Sequence, residues 1–184
     1  MLGLPEDIVK LVPYTPEWTQ WFELEKAQIE AVIGEHILDV EHIGSTAIPG
    51  MMAKPIIDLS VGVKNFDGAF ICVEPLVALG YEYLGENGIP RRHYFRRGEP
   101  KRTHHLHMVE VDSVDRERTL LFRDYLRQHP EVAQEYAALK DKLAHQFQHN
   151  RPSYMKGKTP FIDQVVTLAR AEYAYLKERS LNTH

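Results

Sequence analysis

An α+β fold is what this 184-residue chain predicts, with strands massed early and helices massed late rather than alternating as in a doubly wound sheet. Three observations carry that expectation. The run "KPIIDLSVGV" (54–63) is almost wholly apolar, as a strand buried on both faces would be. The stretches "YEYL", "RHYFRR" and "HHLHMVEV" are short, β-like and punctuated by Gly and Pro, as in a meander. From Val114 onward the apolar residues recur at helical spacing.

In order along the chain, Thr15-Pro16 fits an N-cap followed by proline at the first helical position. Trp18, Phe22, Ile29 and Ile33 then mark an amphipathic helix that stops at Gly34. "ILDVEHI" predicts a strand over 37–43, and the apolar run after it a central strand of the sheet. A helix is expected over about 67–79, closed by Gly80, before the three β-like runs. Leu121, Phe122, Tyr125 and Leu126 predict one late helix. Val132, Tyr136, Leu139, Leu143 and Phe147 predict another, started by Pro130. Thr159-Pro160 would open the last, with Ile162, Val165, Val166, Ala169, Tyr173 and Leu176 closing over the sheet.

Length and the absence of repeats or a Gly/Pro/Ser-rich linker favour one domain over 1–184, and 43% hydrophobic with 26% charged residues suits a globular chain. A single cysteine, Cys72, allows no intrachain disulfide; no secretion signal or membrane-length apolar run is present, so a cytoplasmic protein is expected. The net charge of -4 argues against general nucleic-acid binding. The charge is uneven, however. Residues 1–90 hold 4 Lys+Arg against 14 Asp+Glu, whereas residues 91–107 hold 6 against 1 and include four histidines. That basic island is either an anion-binding wall or a solvated hairpin balancing an acidic body.

Between the two early strands lies "GSTAIPG". Gly44 permits a tight turn, and Ser45 and Thr46 offer hydroxyls beside free backbone N–H groups, an arrangement suited to an anion. On the following strand Asp58, Ser60 and Gly62 share one face and Ile57, Leu59 and Val61 the other. A carboxylate in so apolar a run requires neutralisation by a metal, by a base or by protonation, unless the strand end exposes it.

The stretch "EHIGSTAIPGMMAKPIIDLSVGV", with "HHLHMVE", "LLFRDYLRQHPEVAQEYAALK" and "KTPFI", resembles the GrpB family, whose domain also occurs fused to some bacterial dephospho-CoA kinases. That family is similar to the DNA polymerase β-type nucleotidyltransferases. The resemblance implies a nucleotidyltransferase-like mixed β-sheet flanked by helices, with C-terminal helices. It also implies that Gly44 and Ser45 hold triphosphate and that Asp58 is the first carboxylate of a metal-binding pair. Ser60 stands where the second carboxylate is expected, which leaves a two-metal site short of anionic oxygen.

On the "HHLHMVEV" strand, His105 and His107 share a face opposite Leu106, Met108 and Glu110. If this strand adjoins that of Asp58, then Asp58, His105 and His107 form a candidate metal site, with His42 near its rim. Their other readings are phosphate contact and ordinary structural histidines. Glu110 would face away from this site unless a bulge shifts the register. In "RHYFRR", Arg92, Tyr94 and Arg96 share one side, the arginines suited to phosphate and Tyr94 or Phe95 to stacking on a base. Lys54, Lys156 and Lys158 are further phosphate candidates or plain loop lysines.

Three functions follow as expectations. The first is binding of a nucleoside triphosphate with Mg²⁺ and transfer of a nucleotidyl group to a small acceptor, with Asp58 as the catalytic metal anchor. The second is a non-catalytic module for a nucleotide or a CoA-like phosphorylated ligand. The third is hydrolysis at a transition metal held by His105, His107 and Asp58.

Overall fold

In the computed structural model, which describes residues 2–5 and 8–181 apart from the side chains of 178–181, the strands come first and the long helices last. In chain order the elements are α1 (Glu17–Ile33), β1 (Asp39–Ile43), β2 (Ile57–Val63), α2 (Val73–Ala78), β3 (Glu82–Tyr83), β4 (Arg92–Arg97) and β5 (His104–Glu110). There follow α3 (Val114–Gln128), α4 (Pro130–Gln146) and α5 (Arg151–Leu181). Among the described residues the strands form one mixed sheet in the order β1-β2-β5-β4-β3, parallel between β2 and β5 and antiparallel elsewhere. The apolar run is thus an internal strand, and its parallel partner β5 is reached by a long connection that crosses α2 and the meander.

Pleating sends Ile57, Leu59, Val61, Leu106, Met108 and Phe95 to one face, where α1 and α2 cover them with Trp18, Phe22, Ile29, Ile33 and Leu76. Glu25 interrupts the apolar stripe of α1. It is buried, and its carboxylate accepts from Arg97 Nη1 at 2.7 and 2.9 Å and from the Tyr81 hydroxyl at 2.8 Å. A buried carboxylate survives only with such partners.

Four sequence expectations shift. The first strand begins at Asp39 because Gly34–His36 continues α1 as a 3₁₀ turn. The expected helix over 67–79 is a 3₁₀ segment, Asp67–Cys72, followed by α2, since a continuous α-helix would ask Pro75 for an amide it lacks and press its ring on the Ile71 carbonyl. The last helix starts eight residues early, at Arg151, and runs through Pro160. Asn150 caps it, its Oδ1 accepting from Ser153 N and its carbonyl from Tyr154 N, both at 3.0 Å. Lys156 and Pro160 lie on the exposed side, where water can satisfy the carbonyl that proline leaves unbonded.

Nor does α5 lay its apolar residues on the sheet. Val165 packs with Leu126, Tyr136, Ile48 and Met51 in a separate helical core, while Tyr173 and Leu176 are 65% and 54% exposed. The C-terminal helices therefore stand off the second face of the sheet and leave a cleft. Among the described residues no helix is long and apolar enough to cross a membrane.

Replacing Pro160 restores a backbone donor inside α5 and removes a ring clash. Pro160→Ala is expected to raise unfolding stability by about 2 kcal/mol in denaturant titrations; an unchanged or lower midpoint would show that the proline is matched to its surroundings.

Candidate functional site

The cleft is organised by the turn that follows β1. Gly44 has φ +70° and ψ -173°, a conformation essentially confined to glycine. A Cβ there would lie 2.6 Å from Asp58 Oδ2, so the turn packs directly against that carboxylate. Ser45–Ala47 then forms a 3₁₀ turn whose first amides receive no carbonyl from within it. Behind the turn, Ile48 and Met51 are pegged into the helical core. From α3, Arg127 donates to the Ala47 carbonyl at 2.9 and 2.7 Å, and Arg123 to the His42 carbonyl at 2.9 Å and to Glu41 at 2.6 Å. Charge-assisted bonds of this kind hold backbone firmly.

Asp58 and His105 are register partners across the parallel β2–β5 pair, and Ser60 partners His107. His105 Nδ1 lies 2.9 Å from Asp58 Oδ1. Burial works against ionisation of Asp58, but the hydrogen bond from His105 and the fields of His105, His107 and Lys54 outweigh it and hold the pKa at about 2. Asp58 is therefore a carboxylate at neutral pH, its side chain 29% exposed to the cleft. His107 Nδ1 lies 3.2 Å from Arg92 Nη1. A guanidinium only donates, so Nδ1 must be the bare nitrogen of a neutral imidazole, and burial holds its pKa down at about 4.

Among the described residues the cleft, about 400 Å³, is lined by the cations Lys54, Arg92, Arg118, Lys140, Arg151 and Lys158 and by one carboxylate, Asp58. Lys54 and Lys158 reach the same Tyr154 ring from two elements, at 5.7 and 4.6 Å, and Lys140 lies 5.0 Å from the Tyr136 ring. None of these lysines forms an ion pair with a described carboxylate; Lys140 donates to the Met52 carbonyl. Burial, and then mutual repulsion with Arg151 or one another, lowers Lys54 and Lys140 to about 7 and Lys158 to about 8, Asp58 opposing the shift at Lys54 and Lys158.

Of the residues singled out in the sequence, Gly44, Ser45, Thr46, Lys54, Asp58, Arg92, His105, His107 and Lys158 all line this cleft. The Thr46 hydroxyl is already engaged there, by His42 Nε2 at 3.0 Å and by donation to the Ile56 carbonyl at 3.4 Å. Arg96 is drawn away to Glu82 and does not line the cleft, and Lys156 is exposed outside it. His42 faces α1, stacked on Phe22 at 4.6 Å, and Glu110 binds Arg91 and the Phe66 amide on that same side of the sheet. Tyr94 is in the cleft but packs against the Arg92 guanidinium at 4.8 Å and His107 at 5.2 Å, and Phe95 is in the core, so neither offers a bare ring to a base. Sequence reading missed Arg118, Lys140 and Arg151. Arg151, Tyr154 and Lys158 stand at i, i+3 and i+7 on α5, a stripe legible once the helix is started at Asn150.

The donor set does not fit a transition metal held by all three side chains, because His107 Nδ1 accepts from Arg92, which puts the ring proton on the nitrogen that would ligate, and Asp58 and His105 spend Oδ1 and Nδ1 on each other. It does not fit two Mg²⁺ ions either, since Ser60 Oγ is buried, neutral and without a partner. Among the described residues no three His, Cys, Asp or Glu side chains are grouped to hold a metal. Asp58 alone fits one Mg²⁺ that enters already bound to phosphates.

The family model described as GrpB protein matches residues 8–168. The UPF0157 protein YqkA of Bacillus subtilis (strain 168) is 45% identical over 158 residues, which cover 86% of this chain and 46% of YqkA, so the chain spans about half the length of that relative. A dephospho-CoA kinase of Mycolicibacterium paratuberculosis is 27% identical over 83% of this chain and 44% of its own length. The crystal structure of GrpB from Enterococcus faecalis superposes with a TM-score of 0.83 at 38% identity, covering 89% of this chain and 99% of that one. The Cid1 poly(U) polymerase with Mg 3′-dATP bound superposes with a TM-score of 0.55 at 16% identity, covering 79% of this chain and 49% of Cid1. This last likeness is one of fold, and it bears out the nucleotidyltransferase-like sheet that the sequence resemblance implied.

Two outcomes are expected of this site. Gly44→Ala should cost about 1–3 kcal/mol of stability from backbone strain alone, with Asp58 displaced as well; wild-type stability in denaturant would contradict the contact. The lysines give a pH dependence. Their folded values, about 7 to 8, lie below the ordinary 10.5, so between these limits the unfolded chain binds more protons and stability rises with pH. The thermal midpoint of ligand-free protein should climb from about pH 7 to about pH 9, and the double variant Lys54→Met, Lys158→Met should lose most of that slope; equal slopes in the two proteins would contradict the assignment.

Proposed function

The chain belongs to the GrpB family, and from the charge of its cleft we propose that it binds a nucleoside triphosphate or a CoA-like phosphorylated small molecule there. The observation that carries this reading is a concave site lined by six cationic side chains and one carboxylate, Asp58, in which only Arg118 has an acid partner among the described residues, Asp163 at 2.5 Å. The Gly44–Ser45 turn supplies amides and a hydroxyl to phosphate oxygens on the sheet side. Lys54, Lys158 and Arg151 supply positive charge from the facing wall, and Arg92 fixes the floor through the carbonyls of Glu86 and Asn87 and through His107. Cid1, of the same fold, is seen with Mg 3′-dATP, and dephospho-CoA kinases contain a region similar to this chain; both support a nucleotide-like ligand. Where a triphosphate arrives with Mg²⁺, Asp58 is the residue that would hold that ion, which would supply further positive charge.

A second reading, transfer of a nucleotidyl group to a small acceptor, is favoured by one observation, the ionised Asp58 beside a Gly-Ser turn in this fold. The missing second carboxylate weakens it, since in-line displacement between two metals needs oxygens that Ser60 does not provide. Binding is therefore the reading that the geometry supports best.

Calorimetric titration in Mg²⁺ buffer tests it. ATP, GTP, CTP, UTP and CoA are the ligands, and adenosine is the uncharged control. Triphosphates or CoA should bind, adenosine should not, and Lys158→Ala should weaken the binding at least about tenfold, as loss of a charge-assisted contact in a desolvated site does. Adenosine binding as tightly as ATP, or no binding by any phosphorylated ligand, would overturn the reading.

A further inference from the structure

If the cleft takes a phosphate chain, something must neutralise it, and two-metal sites do so with divalent cations gathered by several carboxylates. Here the carboxylates are missing and fixed cations stand in the same cleft. Lys54 arrives from the loop before β2, Lys140 from α4, and Arg151 and Lys158 from α5. Lys140 and Lys158 are 1% and 8% exposed, and no described carboxylate forms an ion pair with any of the four. Two of them converge on one tyrosine ring, a weak partner for ammonium groups compared with an anion. Uncompensated cations held this close in a half-buried site are costly, and an incoming anion relieves that cost.

We propose that Lys54, Lys140, Lys158 and Arg151 take the place of the divalent cations in this cleft, so that the phosphate chain of the ligand is bound by fixed ammonium and guanidinium groups without metal. The inference rests on the phosphorylated-ligand reading above and goes beyond it by assigning the counter-charge. It also reverses the part of Asp58. In a metal-bridged complex that carboxylate is an anchor and its removal weakens binding. In a metal-free complex it is one negative charge facing others, held off by its bond to His105, and its removal strengthens binding.

The experiment is titration of ATP and of inorganic tripolyphosphate in EDTA and again in Mg²⁺, with wild type, Asp58→Asn and the double variant Lys54→Gln, Lys158→Gln. Each variant is first shown to melt cooperatively. In EDTA, ATP should bind wild type within about threefold of its affinity in Mg²⁺, and Asp58→Asn should bind tripolyphosphate at least about threefold more tightly. The double variant should lose at least about tenfold for both ligands. ATP binding that falls more than about tenfold on chelation and returns with Mg²⁺, or that Asp58→Asn weakens, overturns the inference and leaves the ligand reading standing. Absence of ATP and tripolyphosphate binding in both buffers overturns the two together.

Discussion

The constraint on which this structure turns is unbalanced positive charge in a site of low polarity. Six cations line the cleft beside one carboxylate; Arg118 is balanced by Asp163, the other five have no acid partner among the described residues, and Asp58 is already hydrogen-bonded to His105. Elsewhere on α3 and α5 several arginines find acids: Arg116 pairs with Asp39 at 2.5 Å, Arg123 with Glu41 at 2.6 Å and Arg170 with Glu117 at 2.6 Å. The lysines around Tyr136 and Tyr154 do not. A fold can carry such groups only by lowering their charge or by keeping them within reach of water and an anion, and the helices that stand off the sheet leave room for both.

The same arrangement separates fold from chemistry. The mixed sheet is that of a nucleotidyltransferase-like fold, and on it Gly44 is held against the Asp58 carboxylate too closely for any side chain. Two-metal chemistry needs further oxygens, and here the register partner of His107 is a buried serine. One fold supports several functions through changes at a few such positions. What this chain presents is a shaped, cationic recess whose Gly-Ser turn is stapled by the α3 arginines to the C-terminal helices.

Much of this was legible in the residues. The apolar run around Asp58 announced an internal strand, and strand pleating alone placed His105 with His107 and set Glu110 on the other face, where Arg91 receives it. Adjacency of β2 and β5 was needed to bring His105 to Asp58, and the register supplies it. The basic island was legible as charge but not as destination. Only Arg92 among its arginines lines the cleft, while Arg91, Arg96 and Arg97 meet Glu110, Glu82 and Glu25. The opposite wall is not legible in the same way, because Thr159-Pro160 is itself a plausible helix start and starting the helix there conceals the Arg151–Tyr154–Lys158 stripe that Asn150 caps. Contacts such as Arg127 to the Ala47 carbonyl join residues eighty apart in sequence, and no local pattern announces them.

The most direct test of unbalanced charge in the cleft is to follow the side-chain nitrogens of Lys54, Lys140 and Lys158 by NMR as pH is raised, without ligand and with tripolyphosphate. All three should titrate well below the ordinary 10.5 in the free protein and move up toward or beyond it when the anion is bound. Ordinary titration in the free protein, unmoved by tripolyphosphate, would mean that the lysines are already balanced and that the cleft makes no demand for an anion.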